Sequence, residues 1–191
     1  MTKTTRESLF TFAYIAVGLV AVISVGYLSG PRRFFHFPRP MLPFLVIGLT
    51  GALTYAAVQM RGAALAILMI VILFLAQVAM TPPIRPNSLA GAAIYALPIG
   101  FSLLAAAYVQ KVLERFKFGR FAVMGVIVAA GYALMMLIFL LWSRVYVSFG
   151  TVANQAFLGL KLGAAMGLGF ELIDLAGPRP KRKSRVSLPP A

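Results

Sequence analysis

Residues 153–176, ANQAFLGLKLGAAMGLGFELIDLA, form an apolar segment that contains a regular series of small and polar residues. The series recurs at every fourth position and comprises Gln155, Gly159, Gly163, Gly167 and Glu171. On a helix, residues at this spacing lie in one row along one side. We call its three glycines the glycine row. Because glycine has no Cβ atom, the row predicts a groove into which another helix backbone can pack closely.

The partner of the glycine row is not identified by the sequence. The small-residue faces of the second, fourth and fifth apolar segments are candidates, and so is a helix of another subunit. A flat lipid or a cofactor would also fit such a groove, although no particular cofactor is indicated. Close packing of helices, within the chain or between subunits, is the favoured interpretation.

The composition of the whole chain indicates a membrane protein. Of its 191 residues, 61% are hydrophobic and 12% are charged, and the mean hydropathy is +0.91. Soluble domains carry about 25% charged residues, so this chain has too few charges to cover a surface that faces water. There is no cysteine, which excludes disulfides, thiolate catalysis and metal sites with cysteine ligands.

Six apolar segments are long enough to cross a bilayer as helices. They comprise residues 9–29, 41–59, 63–80, 89–110, 121–142 and 153–176. The sequence therefore predicts an all-α integral membrane protein, a bundle of six transmembrane helices joined by short loops. Residues 1–8 form a polar cytoplasmic lead to this domain. Pro98 lies inside the fourth segment, where the missing backbone donor predicts a kink.

Residues 177–191 form a basic, proline-rich tail that is predicted to be disordered. Its basic residues are expected to contact anionic lipid headgroups or a cytoplasmic partner, and they comprise Arg179, Lys181, Arg182, Lys183 and Arg185. The net charge of the chain is +14. In a membrane protein, topology and lipid headgroups explain such a charge, so we expect no nucleic-acid partner.

The distribution of basic residues predicts the orientation in the membrane. With six spans, twelve of the 18 Lys and Arg residues lie on the side of the termini and five on the other side, while Lys161 lies inside a span. Cytoplasmic loops carry an excess of Lys and Arg. Both termini are therefore predicted to be cytoplasmic, in a cell (inner) membrane.

Two carboxylates near the end of the sixth segment are candidates for an intramembrane polar site, and Glu171 is the stronger of the two. A charge at the bilayer centre costs at least about 2.5–3.5 kcal/mol, so it usually has a partner or a function. Asp174 lies nearer the boundary. A structural ion pair or a protonated packing group is favoured over direct function. Arg115, Lys117 and the basic tail are the candidate cations.

Lys161 and Gln155 complete the candidate site. The long stem of Lys161 is expected to extend toward the outer interface. Glu171 lies about 15 Å from it along the helix and on another face, so a direct bridge between them is not expected. Gln155 is expected near the outer start of the helix.

The sequence contains none of the common signatures of metalloproteases, P-loop enzymes or α/β-hydrolases. The favoured function is therefore a non-catalytic subunit or scaffold of a larger membrane complex. It would associate with other subunits or with itself through the sixth helix and the basic tail. The alternative is a small transporter or substrate-binding transport subunit that uses the glycine-lined groove, the Pro98 kink and Glu171. In length and number of spans the chain resembles the substrate-binding subunits of energy-coupling-factor vitamin transporters. A lipid-modifying enzyme is a third, less favoured possibility.

Overall fold

A computed structural model of the chain describes residues 3–29, 42–79, 86–113, 119–142 and 148–176. In these ranges the regular structure is entirely α-helical, which confirms the all-α prediction. The helices are α1 (Lys3–Ser29), α2 (Leu42–Met60), α3 (Ala63–Ala79), α4 (Pro86–Leu113), α5 (Arg120–Trp142) and α6 (Phe149–Ala176). The residues of the basic tail lie outside the described ranges.

Three helices begin well before the predicted apolar segments, and α5 begins one residue earlier, at Arg120. α1 begins within the polar lead, at Lys3. α4 begins at Pro86, three residues before the predicted segment 89–110. Proline is compatible with the first helical position because that residue needs no hydrogen-bond donor. α6 begins at Phe149, and the carbonyl of Ser148 accepts hydrogen bonds from Thr151 and Val152. Residues 149–152 are therefore the first turn of the helix rather than part of a connection.

Three helical segments are long and apolar enough to cross a membrane: Thr5–Val25, Arg120–Trp142 and Phe149–Ala176. Shorter apolar helical segments occur at Ala63–Ala79 and Ala96–Val109. The chain thus has the character of a membrane protein by the length and composition of its helices.

The helices pack as a closed ring in the order α1, α2, α4, α5, α6 and back to α1. α3 packs outside this ring against α2 and α4, and the most extensive contact is between α5 and α6. We call the lower end of the bundle the end at which α1 and α5 begin and α2 and α6 finish. The contact of Tyr14 with both Tyr55 and Phe170 places these helix ends together.

α2 is the innermost helix in its described part. Its residues from Ile47 to Val58 are buried, with the exception of two that are partly exposed. Small residues allow the neighbouring helices to approach. A Cβ atom at Gly18 of α1 would lie 2.7 Å from the carbonyl oxygen of Gly48 in α2. The two backbones therefore cross in direct contact at these glycines.

The outer surface of the bundle is apolar. Large hydrophobic side chains are exposed on α1, α3, α4, α5 and α6, as illustrated by Phe12 at 70%, Leu75 at 57% and Leu172 at 66%. Soluble monomers rarely expose apolar patches of more than a few hundred Å². Such a surface suits contact with lipid chains or with other membrane helices.

Candidate functional site

The glycine row lies against α5. A Cβ atom at Gly159 would lie 2.8 Å from the carbonyl oxygen of Val128. One at Gly163 would overlap the carbonyl group of Met124. A step of four residues forward in the sequence of α6 thus corresponds to a step of four backward in the sequence of α5. The two helices are therefore antiparallel and in constant register. Of the partners that the sequence left open, the fifth segment occupies the row in this structure.

The last glycine of the row lies beside the first turn of α5. A Cβ atom at Gly167 would lie 2.6 Å from the Cα atom of Phe121 and 3.0 Å from the carbonyl oxygen of Arg120. Gly167 is about 10 Å from Asp174 along the helix axis. The side chain of Arg120 forms an ion pair with Asp174. Close packing at Gly167 therefore places the start of α5 where its arginine reaches the end of α6.

Two tyrosines complete the hydrogen bonding of this ion pair. The hydroxyl of Tyr14 donates to Oδ1 of Asp174 at 2.6 Å, and Nη1 of Arg120 donates to the hydroxyl oxygen of Tyr55 at 2.8 Å. With Phe170, these residues form a site that we call the lower-end cluster. It comprises Tyr14, Tyr55, Arg120, Phe170 and Asp174. The cluster therefore joins α1, α2, α5 and α6.

The aromatic rings of the cluster are closely packed. Tyr55 and Phe170 are fully buried and stack with their centroids 4.3 Å apart and their planes 10° apart. Tyr14 meets Tyr55 edge-on at 5.3 Å and Phe170 edge-on at 5.2 Å. Such aromatic pairs contribute about 0.5–1.5 kcal/mol each beyond the burial of their surface. The rings form an apolar wall on one side of the charged pair.

The two charges of the cluster lie at unfavourable helix ends. Asp174 is in the last turn of α6, where the helix dipole is negative, and Arg120 begins α5, where the dipole is positive. Each charge is stabilised by the other. The side chains are only 25% exposed for Arg120 and 33% for Asp174, so their attraction is less screened than that of a surface pair. The arrangement is suited to holding α1, α2, α5 and α6 together at the lower end of the bundle.

The structure places the other predicted polar residues apart from this cluster. Glu171 is half-buried, and no hydrogen bond or ion pair joins it to another described residue. The ammonium of Lys161 lies 4.4 Å from the ring centroid of Phe157, toward the upper end of α6. The side-chain oxygen of Gln155 is buried and has no hydrogen-bond partner among the described residues. Asp174 is thus the member of the predicted set that belongs to the lower-end cluster.

Pro98 lies near the middle of the bundle. α4 continues through it, and its carbonyl oxygen would be 3.4 Å from a Cβ atom at Gly131 of α5. The kink itself stays a prediction. The candidate cations Arg115 and Lys117 lie outside the described residues, and so do the five basic residues of the tail.

Sequence reasoning missed four members of the cluster. Arg120 was treated as part of a loop and Tyr14, Tyr55 and Phe170 as ordinary span residues. One signal was available for Arg120. Because α5 and α6 are consecutive and antiparallel, the start of α5 lies beside the end of α6, and the two ends carry opposite charges. No comparable signal in the sequence predicts that Tyr14 of α1 and Tyr55 of α2 contact α6.

Comparison of the chain with protein-family models, with curated proteins and with solved structures found no match. The function proposed below therefore rests on the geometry of the helices and of the lower-end cluster.

Proposed function

We propose that all six helices cross the membrane. α1 crosses by its own length and composition. α2 runs antiparallel to it at the same depth, since Gly48 faces Gly18 and Tyr55 contacts Tyr14. α3 and α4 pack beside α2. Helices that are paired side by side over this length occupy the same apolar layer, which supports six spans with both termini on one side.

The excess of basic residues supports a cytoplasmic location for that side, the lower end. The native chain has no cysteine, so single introduced cysteines report their own location. In intact cells, a membrane-impermeant maleimide is expected to label Ser148→Cys at the upper end. It is expected to label Ala64→Cys, at the start of α3, only after permeabilisation. The reverse pattern would invert the orientation, and labelling of both from outside would refute the six-span arrangement.

For the function, we propose a non-catalytic subunit or scaffold of a larger membrane complex. The observation that carries this proposal is the lower-end cluster. The carboxylate of Asp174 forms an ion pair with Arg120 of α5 and accepts a hydrogen bond from Tyr14 of α1. The stacked rings of Tyr55 and Phe170 lie beside it. These polar groups are used to hold helices together. The apolar outer face of α6, which includes Phe157 and Leu172, and the basic tail are the surfaces we assign to a partner.

The sequence features that favoured a transporter, which are the glycine row, Pro98 and Glu171, lie apart from one another in the structure. The glycine row is filled by α5, and Pro98 lies beside Gly131 at the middle of α5. Glu171 lies near the lower end of α6. A substrate path through all three would require α5 to leave α6. The subunit proposal requires no such rearrangement.

Isolation in native lipid tests the proposal. We expect the tagged chain, extracted with its surrounding lipid and analysed by native mass spectrometry, to carry a second protein or a second copy in fixed stoichiometry. A variant with Lys181, Arg182 and Lys183 changed to glutamine is the matched comparison, and it should retain less of the partner. A monomer that carries a stoichiometric small molecule would instead support the transport alternative. A monomer without one would refute the subunit role.

A further inference from the structure

A groove opens between α1, α2 and α3 at the lower end of the bundle. Its volume is about 460 Å³, within the roughly 300–1,000 Å³ of typical ligand pockets. Its lining is mainly apolar and includes Phe12, Ile15, Leu53, Met60, Leu65 and Met69. None of the residues of the lower-end cluster lines the groove.

Two opposite charges line the same groove. Glu7 of α1 and Arg61 of the α2–α3 turn both contribute to its wall. No ion pair joins these two side chains. The hydroxyl of Thr11, between them, donates to the carbonyl oxygen of Glu7 at 2.9 Å and also contacts the sulfur of Met60. The groove therefore presents the carboxylate of Glu7 as an acceptor and the guanidinium of Arg61 as a donor, and these two groups do not form an ion pair with each other.

The position of Arg61 is set by the backbone of a tight turn. The N–H groups of Arg61 and Gly62 both donate to the carbonyl oxygen of Ala57 at 2.8 Å. Gly62 has a φ of +99°, a conformation that glycine adopts without strain. α2 therefore stops immediately after Met60, and Arg61 is held at the mouth of the groove.

From this arrangement we infer that the groove binds one phospholipid with a primary-amine zwitterionic headgroup, of the ethanolamine type. The phosphate would accept hydrogen bonds from Arg61, whose planar guanidinium suits phosphate oxygens. The ammonium would donate to the carboxylate of Glu7, and an acyl chain would lie along the apolar wall. The inference uses the placement of the lower end at a membrane surface and is independent of the proposed subunit role.

The charges of the groove discriminate among headgroups. A purely anionic headgroup would bring its charge toward the Glu7 carboxylate without compensation. A choline headgroup carries a positive charge but has no N–H group, so it cannot donate a hydrogen bond to that carboxylate. A primary ammonium satisfies both the charge and the hydrogen bond, and charge-assisted hydrogen bonds are about twice as strong as neutral ones.

Native mass spectrometry of the purified, delipidated full chain tests the inference. Phospholipids with identical acyl chains and ethanolamine, choline or glycerol headgroups are added one at a time. We expect one ethanolamine lipid per chain, bound about tenfold more tightly than the choline lipid, since one charge-assisted hydrogen bond is worth about a factor of ten. Equal binding of all three, or preference for the glycerol headgroup, would overturn the inference.

Three single variants separate the roles. Glu7→Gln should remove the preference for the ethanolamine headgroup, because it weakens binding of the ethanolamine lipid more than binding of the choline lipid. Arg61→Gln should weaken binding of all three lipids. Arg6→Gln is the matched control, because Arg6 lies over the ring of Phe10 and does not line the groove. If Glu7→Gln remains folded by thermal unfolding and keeps the preference, the headgroup assignment is wrong.

Discussion

Replacement of Gly163 by alanine is expected to destabilise the folded bundle by about 1–3 kcal/mol, the usual cost of overpacking a well-packed interior. The added Cβ would overlap the carbonyl group of Met124 and would lie 2.9 Å from Cβ of Val128. A backbone carbonyl cannot rotate aside as the end of a side chain can. α5 and α6 must therefore move apart over their most extensive contact.

Gly150→Ala provides the matched control on the same helix. Among the described residues, a Cβ at Gly150 would come within 4 Å only of the hydroxyl of Ser148, at 3.6 Å. Alanine also has a higher helix propensity than glycine, by about 1 kcal/mol in a helix interior. We therefore expect Gly150→Ala to be as stable as the native chain or slightly more stable. The measurement is unfolding of the detergent-solubilised protein by titration with a denaturing detergent.

Isoleucine at position 163 should have a larger effect than alanine, because its branched side chain must also find space between the two helices. The expected order of stability is native, then Gly163→Ala, then Gly163→Ile. If both variants unfold at the same denaturant fraction as the native chain, the glycine row does not hold α5 against α6. The register described above would then be incorrect.

The second large effect is expected at the ion pair. Asp174→Asn should destabilise the bundle by about 1–3 kcal/mol, because Arg120 would be left without its charged partner. The loss is smaller than for a fully buried pair, since both side chains retain some exposure. Tyr14→Phe removes only one hydroxyl donor and preserves the ring contacts, so its effect should be smaller than that of Asp174→Asn.

Glu171→Gln is the matched control for this prediction. It removes the same charge from the same helix one turn earlier, where no described residue pairs with the carboxylate. We expect little change in the free energy of unfolding. An effect of Glu171→Gln as large as that of Asp174→Asn would show that the sequence-based preference for Glu171 was correct and that the cluster is not the main polar contact.

A double-mutant cycle isolates the interaction itself. Arg120→Gln and Asp174→Asn are each expected to destabilise the protein. The double variant should lose less stability than the sum of the two, by about 0.5–3 kcal/mol. Additive losses would mean that the two groups do not interact in the folded state, in contradiction to the ion pair.

The sequence predicted the helices well, because apolar runs between proline- or arginine-rich breaks mark their positions. Its errors lie at helix starts, where Pro86 and Phe149 belong to the first turn rather than to a loop. Local sequence does not show whether a residue outside an apolar run continues the helix. That depends on capping of the first backbone donors, as by the carbonyl of Ser148.

The site was predicted less completely, because it depends on which helices are neighbours. The spacing of the glycines indicated close packing but could not select α5 from the small-residue faces of other helices. Asp174 was ranked below Glu171 by depth, since the cation beside it was not recognised. The tyrosines were missed because Tyr14 and Tyr55 are separated by 41 residues and meet only in the folded bundle.

The lower-end cluster also has a consequence for how the chain is made. It combines groups from α1, α2 and α5 with Phe170 and Asp174 of α6, which is synthesised after those helices. During translation, α1, α2 and α5 are made before α6, so Arg120 is synthesised before the carboxylate with which it pairs. Closure of the ring is therefore a late event in biogenesis. A nascent chain interrupted before α6 would carry an uncompensated charge and an open helix face, features that membrane insertases and quality-control proteases can distinguish from the finished protein.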